Sequence, residues 1–252
     1  MIERVIFPEE YKKSQIMFFK EADFTSLPNT QVVPLFGPNG VGKTTMLDAI
    51  LHTLRHEEVY KRLTSDNDDG AADFYKSEFD REKHKAGCEV ITDGREMKLL
   101  GYKNSVDNFR SKNVGFDPYL LNARFDAQSV SEGQSIVYSL FDLFELLKEG
   151  AAEDETDNIV FLDEMDSGLS IDNLDTFMRK IKNIVRKRSD VQFIMSFNNP
   201  RVLKFFPYVV SMYDGKVKEL HSDEDMLAEM KRNKKMFDRA RRKTNGMPKI
   251  YE

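Results

Sequence analysis

The segment Gly37-Pro38-Asn39-Gly40-Val41-Gly42-Lys43-Thr44-Thr45 has the spacing G-x-x-x-x-G-K-[ST]. Glycines at 37, 40 and 42 let the backbone curl until successive N–H groups face one anion. Lys43 adds a full positive charge where outer phosphates would lie. The Thr44 hydroxyl is a hard oxygen donor suited to magnesium, and Thr45 can hydrogen-bond an inner phosphate. Far along the chain, Asp163 and Glu164 stand side by side. Adjacent carboxylates repel each other, so a cation near them is expected. Asp163 suits a magnesium ion held through its water shell, and Glu164 suits a base that polarises an attacking water.

These residues need elements to hold them. Gln31 to Phe36 is apolar and β-prone, and Met46, Leu47, Ile50, Leu51 and Leu54 recur at helical spacing after the loop. The loop therefore lies between a buried strand and a helix, whose positive end points at the same anion. That helix is expected to run to about Glu58. Ile159-Val160-Phe161-Leu162 is too short for a helix and reads as a buried strand that delivers Asp163 and Glu164 at its end. A helix begins at Ser170 or Asp172, with Leu174, Phe177, Met178, Ile181, Ile184 and Val185 inward. Its other face is basic, with Arg179, Lys180, Lys182, Arg186, Lys187 and Arg188. Val191 to Ser196 is the next buried strand. Asp93-Gly94 and Asp214-Gly215 are hairpin signals, the first between Cys88–Thr92 and Arg95–Tyr102, the second between Tyr208–Tyr213 and Lys216–Leu220. The run from Thr64 to Gly70 is polar and acidic and reads as an exposed loop, because it lacks calcium-loop spacing. Tyr11, Phe18, Phe19 and Phe24 are candidates to stack on a base, although each singly is better explained as sheet filling.

A further helix follows Ser131-Glu132-Gly133-Gln134 and puts Ile136, Val137, Leu140, Phe141, Phe144 and Leu147 on one face. Ser131 and Gln134 have capping-box spacing, which alone would explain them. Gly133 exposes the helix N-terminus to a ligand, which gives the same residues a second reading.

The totals set bounds. The chain has 252 residues, 32% of them charged, and a net charge of −5. That length supports a substantial core, and the charge gives no global attraction to nucleic acid. One cysteine, Cys88, permits no disulfide within the chain. No stretch reaches the ~20 apolar residues of a bilayer span. A soluble cytoplasmic protein is expected, without direct membrane insertion.

Taken together and in order, Gly37–Thr45, Ser131-Glu132-Gly133-Gln134 and Leu162-Asp163-Glu164-Met165-Asp166-Ser167-Gly168-Leu169 resemble the ABC ATPase head, with its Walker A, signature, Walker B and D-loop. The resemblance covers about residues 15 to 220. It implies an α/β fold of the P-loop NTPase type, a mixed sheet with an antiparallel β layer and a helical lobe carrying the signature. One domain over 1–252 is expected, with a nucleotide-binding core from 1–102 and 155–220, a signature lobe from 103–150 and a basic C-terminal helix or tail from 221–252. The implied cofactors are ATP and Mg2+. The implied partner is a second copy, paired head to tail, so that Ser131, Gly133 and Gln134 of one head complete the phosphate site of the other. Hydrolysis then releases the clamp.

The chain departs from the family in places. Glu132 stands where transporters commonly have glycine. No glutamine lies between Thr45 and Gln128, which leaves Asn104 as a weak substitute for the Q-loop residue. Phe197-Asn198-Asn199-Pro200 lacks the switch histidine, and Asn198 is the substitute expected there. An amide can hydrogen-bond a phosphate or water but cannot titrate, so slow or partner-dependent hydrolysis is expected. The D-loop ends in Ser170 rather than aspartate. These losses are closer to the soluble SMC, RecF and OLD-like branch of DNA maintenance and phage defence. The expectation is an ATPase that drives or gates a partner effector. Lys231, Arg232, Lys234, Lys235, Arg239, Arg241, Arg242 and Lys243, with the basic helix face, give nucleic acid a place to bind. The alternatives are the ATP-binding subunit of a membrane transporter and a module that holds ATP without hydrolysing it.

Overall fold

The computed structural model describes residues 1–7, 19–65, 88–103, 136–137, 140–141, 143–145, 147 and 156–231. Its strands in chain order are β1 (Ile2–Ile6), β2 (Glu21–Asp23), β3 (Val32–Phe36), β4 (Glu89–Thr92), β5 (Met97–Lys103), β6 (Asp157–Asp163), β7 (Val191–Ser196), β8 (Tyr208–Ser211) and β9 (Val217–Glu219). Two long helices are α1 (Lys43–Ser65) and α2 (Ile171–Lys187). The larger sheet has the order β5-β6-β7-β3-β8-β9, parallel except for the final β8–β9 pair. A second sheet, β2-β1-β4, is antiparallel. The expected α/β class, a mixed sheet with an antiparallel layer, is observed.

Every residue of β3 and β7 is buried, which is why β3 reads as an unbroken apolar run and β7 is apolar except for Gln192 and Ser196. The pleat still sorts their side chains. Val33, Leu35, Ile159, Phe161, Ile194 and Val210 join Met46, Leu47, Ile50 and Leu54 of α1 and Val5 and Ala22 of the small sheet. Val32, Phe36, Val160, Leu162, Phe193 and Met195 join Leu174, Phe177, Met178 and Ile181 of α2 on the other face. Helical residues Ile136, Leu140, Phe144 and Leu147 complete that second core. The Phe144 ring lies 5.6 Å from Phe177 and 6.5 Å from Phe193. The buried Gln192 amide stitches the two sheets. It donates to Ile2 O and Thr30 O at 2.9 and 2.8 Å and accepts from Ile2 N at 2.8 Å.

Some local signals point elsewhere than expected. The Asp93-Gly94 turn forms, but the flanking strands do not pair as a hairpin. β4 pairs with β1, whereas β5 runs parallel to β6 from Met97↔Asp157 to Lys103↔Asp163. Turn chemistry sets a change of direction only, and the apolar edge of β6 is the better partner for Leu99 and Leu100. The Asp214-Gly215 hairpin forms as read, joining β8 to β9. Helix α1 continues past Glu58 to Ser65, since Lys43 to Ser65 contains neither glycine nor proline. Phe141, expected inward, is 44% exposed, with Lys180 Nζ 4.5 Å above its ring. Arg188 is not part of the solvated basic face. It donates to Leu147 O and pairs with Asp190, which holds that carboxyl below its usual pKa. Phe19 and Phe24 are buried in the core beside α1, so neither stacks on a base. Tyr11, Phe18, Asn104, the acidic residues 66–70 and the basic tail beyond Lys231 lie outside the described residues.

Gly215 couples the β8–β9 turn to the small sheet. Its φ is +68°, and an added Cβ would stand 2.1 Å from Glu21 O and 2.8 Å from the Phe19 ring. Gly215→Ala is therefore expected to lower stability by about 2 kcal/mol or more in urea denaturation, as strain and overlap add.

Candidate functional site

β6, β7 and β3 are neighbours in the sheet, and the site forms where their C-terminal ends meet. The loop after β3 turns through Gly42, at φ +100°, into the first residue of α1. This brings Lys43 back over the loop. Its Nζ donates to Gly37 O at 2.8 Å, Pro38 O at 3.4 Å and Asn198 Oδ1 at 3.1 Å. Lys43 is 4% exposed, and that burial pushes its ammonium below the ordinary lysine pKa. Glu164, Asp166 and Asp163 pull in the opposite direction. The cation is thus held by two carbonyls and an amide, all neutral acceptors, which bind an ammonium less strongly than an anion does.

Asp163 ends β6 and is nearly buried. One of its oxygens, Oδ1, accepts from Thr44 Oγ1 at 3.0 Å and from Ser196 Oγ at 2.6 Å. The Ser196 hydroxyl in turn accepts the Glu164 N–H at 2.9 Å. Glu164 has φ +52°, a left-handed conformation that costs a non-glycine residue about 1 kcal/mol. That turn carries its carboxylate out of the strand direction toward Asn198, whose Nδ2 donates to Glu164 Oε1 at 3.5 Å. Asn198 is exposed, and one amide therefore touches both Lys43 and Glu164. The loop that presents it is fastened by Asp166, whose Oδ2 accepts from Asn198 N at 2.8 Å and Asn199 N at 2.5 Å.

The structure therefore brings Gly37, Pro38, Lys43, Thr44, Asp163, Glu164 and Asn198 together. Asn39 and Gly40 are exposed at the loop tip, Val41 is packed into the core, and Thr45 is half-buried in the first turn of α1. Ser131, Gly133 and Gln134 lie outside the described residues. Ser196 and Asp166 are two residues that sequence reasoning did not assign to the site. A signal for each was present. Ser196 is the polar residue that closes a buried strand, and Asp166 follows the Asp163-Glu164 pair at one residue's distance.

The donor set fits a small hard cation. A hydroxyl and a carboxylate stand together at Thr44 and Asp163, the ligand types that magnesium takes alongside phosphate oxygens and water. Among the described residues, no group of three or more His, Cys, Asp or Glu side chains is placed to hold a metal by itself. An ion here would rely on the phosphates it accompanies.

Ser196→Ala removes a donor to Asp163 and an acceptor for Glu164 N–H in one step. It is expected to cost about 1–3 kcal/mol in urea denaturation. Ser196→Thr, which keeps the hydroxyl, should recover most of that loss.

No family model matches the chain, and no curated protein matches it by sequence. Similar solved structures include ATP-binding cassettes. One is a dimeric post-hydrolysis state of MJ0796 bound to ADP and Pi, with a TM-score of 0.42 and 13% identity over 81% of this chain and 91% of that one. Another is the ADP conformation of MJ1267, a cassette of an ABC transporter, with a TM-score of 0.46 and 12% identity over 94% of this chain and 99% of that one. PCH-2 of C. elegans is similar at a TM-score of 0.33 and 16% identity over 86% of this chain, which spans 43% of PCH-2.

Proposed function

We propose that this chain binds ATP with magnesium at the ends of β3, β6 and β7 and hydrolyses it. The observation that carries the reading is convergence. Thr44 meets Asp163 and Lys43 meets Asn198 across separations of 119 and 155 residues, all within hydrogen-bonding distance. In this reading the loop N–H groups and Lys43 grip the β- and γ-phosphates. Thr44 and Asp163 would hold magnesium, which would supply neutralising charge to those phosphates. Glu164 orients and deprotonates the attacking water. Asn198 leaves Lys43 for the γ-phosphate or that water, as a neutral contact that cannot exchange a proton.

Head-to-tail pairing of two copies around ATP belongs to the same proposal, with Ser131, Gly133 and Gln134 of each copy facing the other's phosphates. Its support is the order of the sequence motifs. The work done is that of a clamp that drives or gates a partner effector. Placement in DNA maintenance or phage defence belongs to the proposal too, and its support is the sequence resemblance to the soluble branch alone. The transporter reading would need a membrane partner, since no helix among the described residues is long and apolar enough to cross a bilayer.

Glu164→Gln separates hydrolysis from ATP binding alone. Turnover should fall about 100-fold or more while ATP binding persists, and size-exclusion chromatography with ATP should show accumulated dimer. Unchanged turnover would remove Glu164 as the base, and bound ATP without turnover in the parent chain would leave ATP a structural ligand only.

Protonation gives a second test. Lys43 in the free protein sheds its proton below the ordinary lysine pKa of 10.5, whereas bound phosphate favours the ammonium. ATP affinity should therefore decline as pH rises through that lowered value, with proton uptake on binding. Calorimetry in buffers of different ionisation enthalpy would read this directly.

A further inference from the structure

A groove lies at the opposite end of β3 from the phosphate loop, where the C-terminal half of α2 passes over Val32 and the segment leading into β8. It encloses about 730 Å³, within the range of ligand-sized pockets. Its floor is apolar, with Leu27, Pro28, Val185, Phe205, Phe206 and Pro207 among the lining residues. Three cations of α2 rim it: Arg179, Lys182 and Arg186. Lys182 Nζ sits 5.6 Å above the Phe205 ring and 5.7 Å from that of Phe206. Arg186 has a weak 3.4 Å bond to Asn183, and Arg179 stands 3.9 Å from Asp175. Asp175 is itself engaged by Arg201 through two 2.6 Å bonds, which leaves Arg179 a secondary partner. No carboxylate side chain lines the groove.

We propose that this groove docks an acidic peptide segment of a partner protein, with a leucine or phenylalanine side chain as its anchor. The argument is charge complementarity around an apolar seat. Three neighbouring cations on a chain of net charge −5 form a local positive field that attracts carboxylates, and the apolar floor of the groove receives what lies between them. A nucleic acid fits less well. Its backbone needs a longer basic track, and Phe205 and Phe206 are half-buried rather than presented as open stacking faces. The proposal is independent of the nucleotide reading, because none of its residues touches Lys43, Asp163 or Glu164.

The test is fluorescence anisotropy with the full chain and a fluorescein-labelled peptide alternating aspartate with leucine and phenylalanine. Saturable binding is expected. It should weaken about fivefold or more in Lys182→Glu/Arg186→Glu and vanish when serines replace the peptide's apolar residues. Arg179→Gln/Arg186→Gln, a milder change, provides the same reading if the reversed pair does not fold. ATP binding in each variant should match the parent protein. The proposal is overturned by absence of saturation up to about 1 mM peptide, by equal binding of the serine peptide, or by indifference to both variants. Tighter, competing binding of a single-stranded oligothymidine that the same variants abolish would also overturn it.

Discussion

An ammonium and three carboxylates withdrawn from water at one sheet edge constrain the rest of this protein. Lys43, Asp163 and Asp166 are all nearly buried, and Glu164 is half-buried beside them. Each isolated charge would cost several kcal/mol in such a place. They persist because hydrogen-bonding groups are built around most of their polar atoms, Asp166 Oδ1 being the buried exception among the described residues, and this strand order provides those groups. β7 lies between β3 and β6. It ends in Ser196, whose single hydroxyl serves Asp163 and Glu164 at once, and the chain that leaves it supplies Asn198 to Lys43.

Much of this was legible from the residues. The phosphate loop, the strand that delivers Asp163, and the capping of α2 by Ser170 follow from patterns that are local in sequence. Asn198 stands out by its place just after a buried strand, and it does reach Lys43 and Glu164. The misreadings share a cause. Asp93-Gly94 specifies a turn, but the partner of β5 is decided by an edge 60 residues away at Asp157. Phe141 has the right period for the core, yet its position on the helix perimeter is set by the width of the packed face and by Lys180. Ser196 and Asp166 escaped because a hydroxyl or carboxylate carries no sequence mark of what it will bond across the fold.

The positive φ of Glu164 belongs to the same logic. A strand that simply continued would send its carboxylate along the sheet axis. The left-handed turn redirects it toward the Asn198 loop, and the Ser196 hydroxyl stabilises the turn by accepting its N–H. Local strain is thereby offset by a buried hydrogen bond rather than by a glycine, which has no carboxylate to offer.

The loop that carries Asn198 is clasped twice. Asp166 grips its first two N–H groups, and Arg201, just beyond, is locked side-on to Asp175. Asp175 lies in the second turn of α2, a rod of 17 residues and about 25 Å. A rotation of that loop by about 5° would swing the far end of such a rod by about 2 Å. Because Asp175 ties α2 to the loop that carries Asn198, any tilt that begins there is largest at the helix's other end, beside the groove rimmed by Lys182 and Arg186.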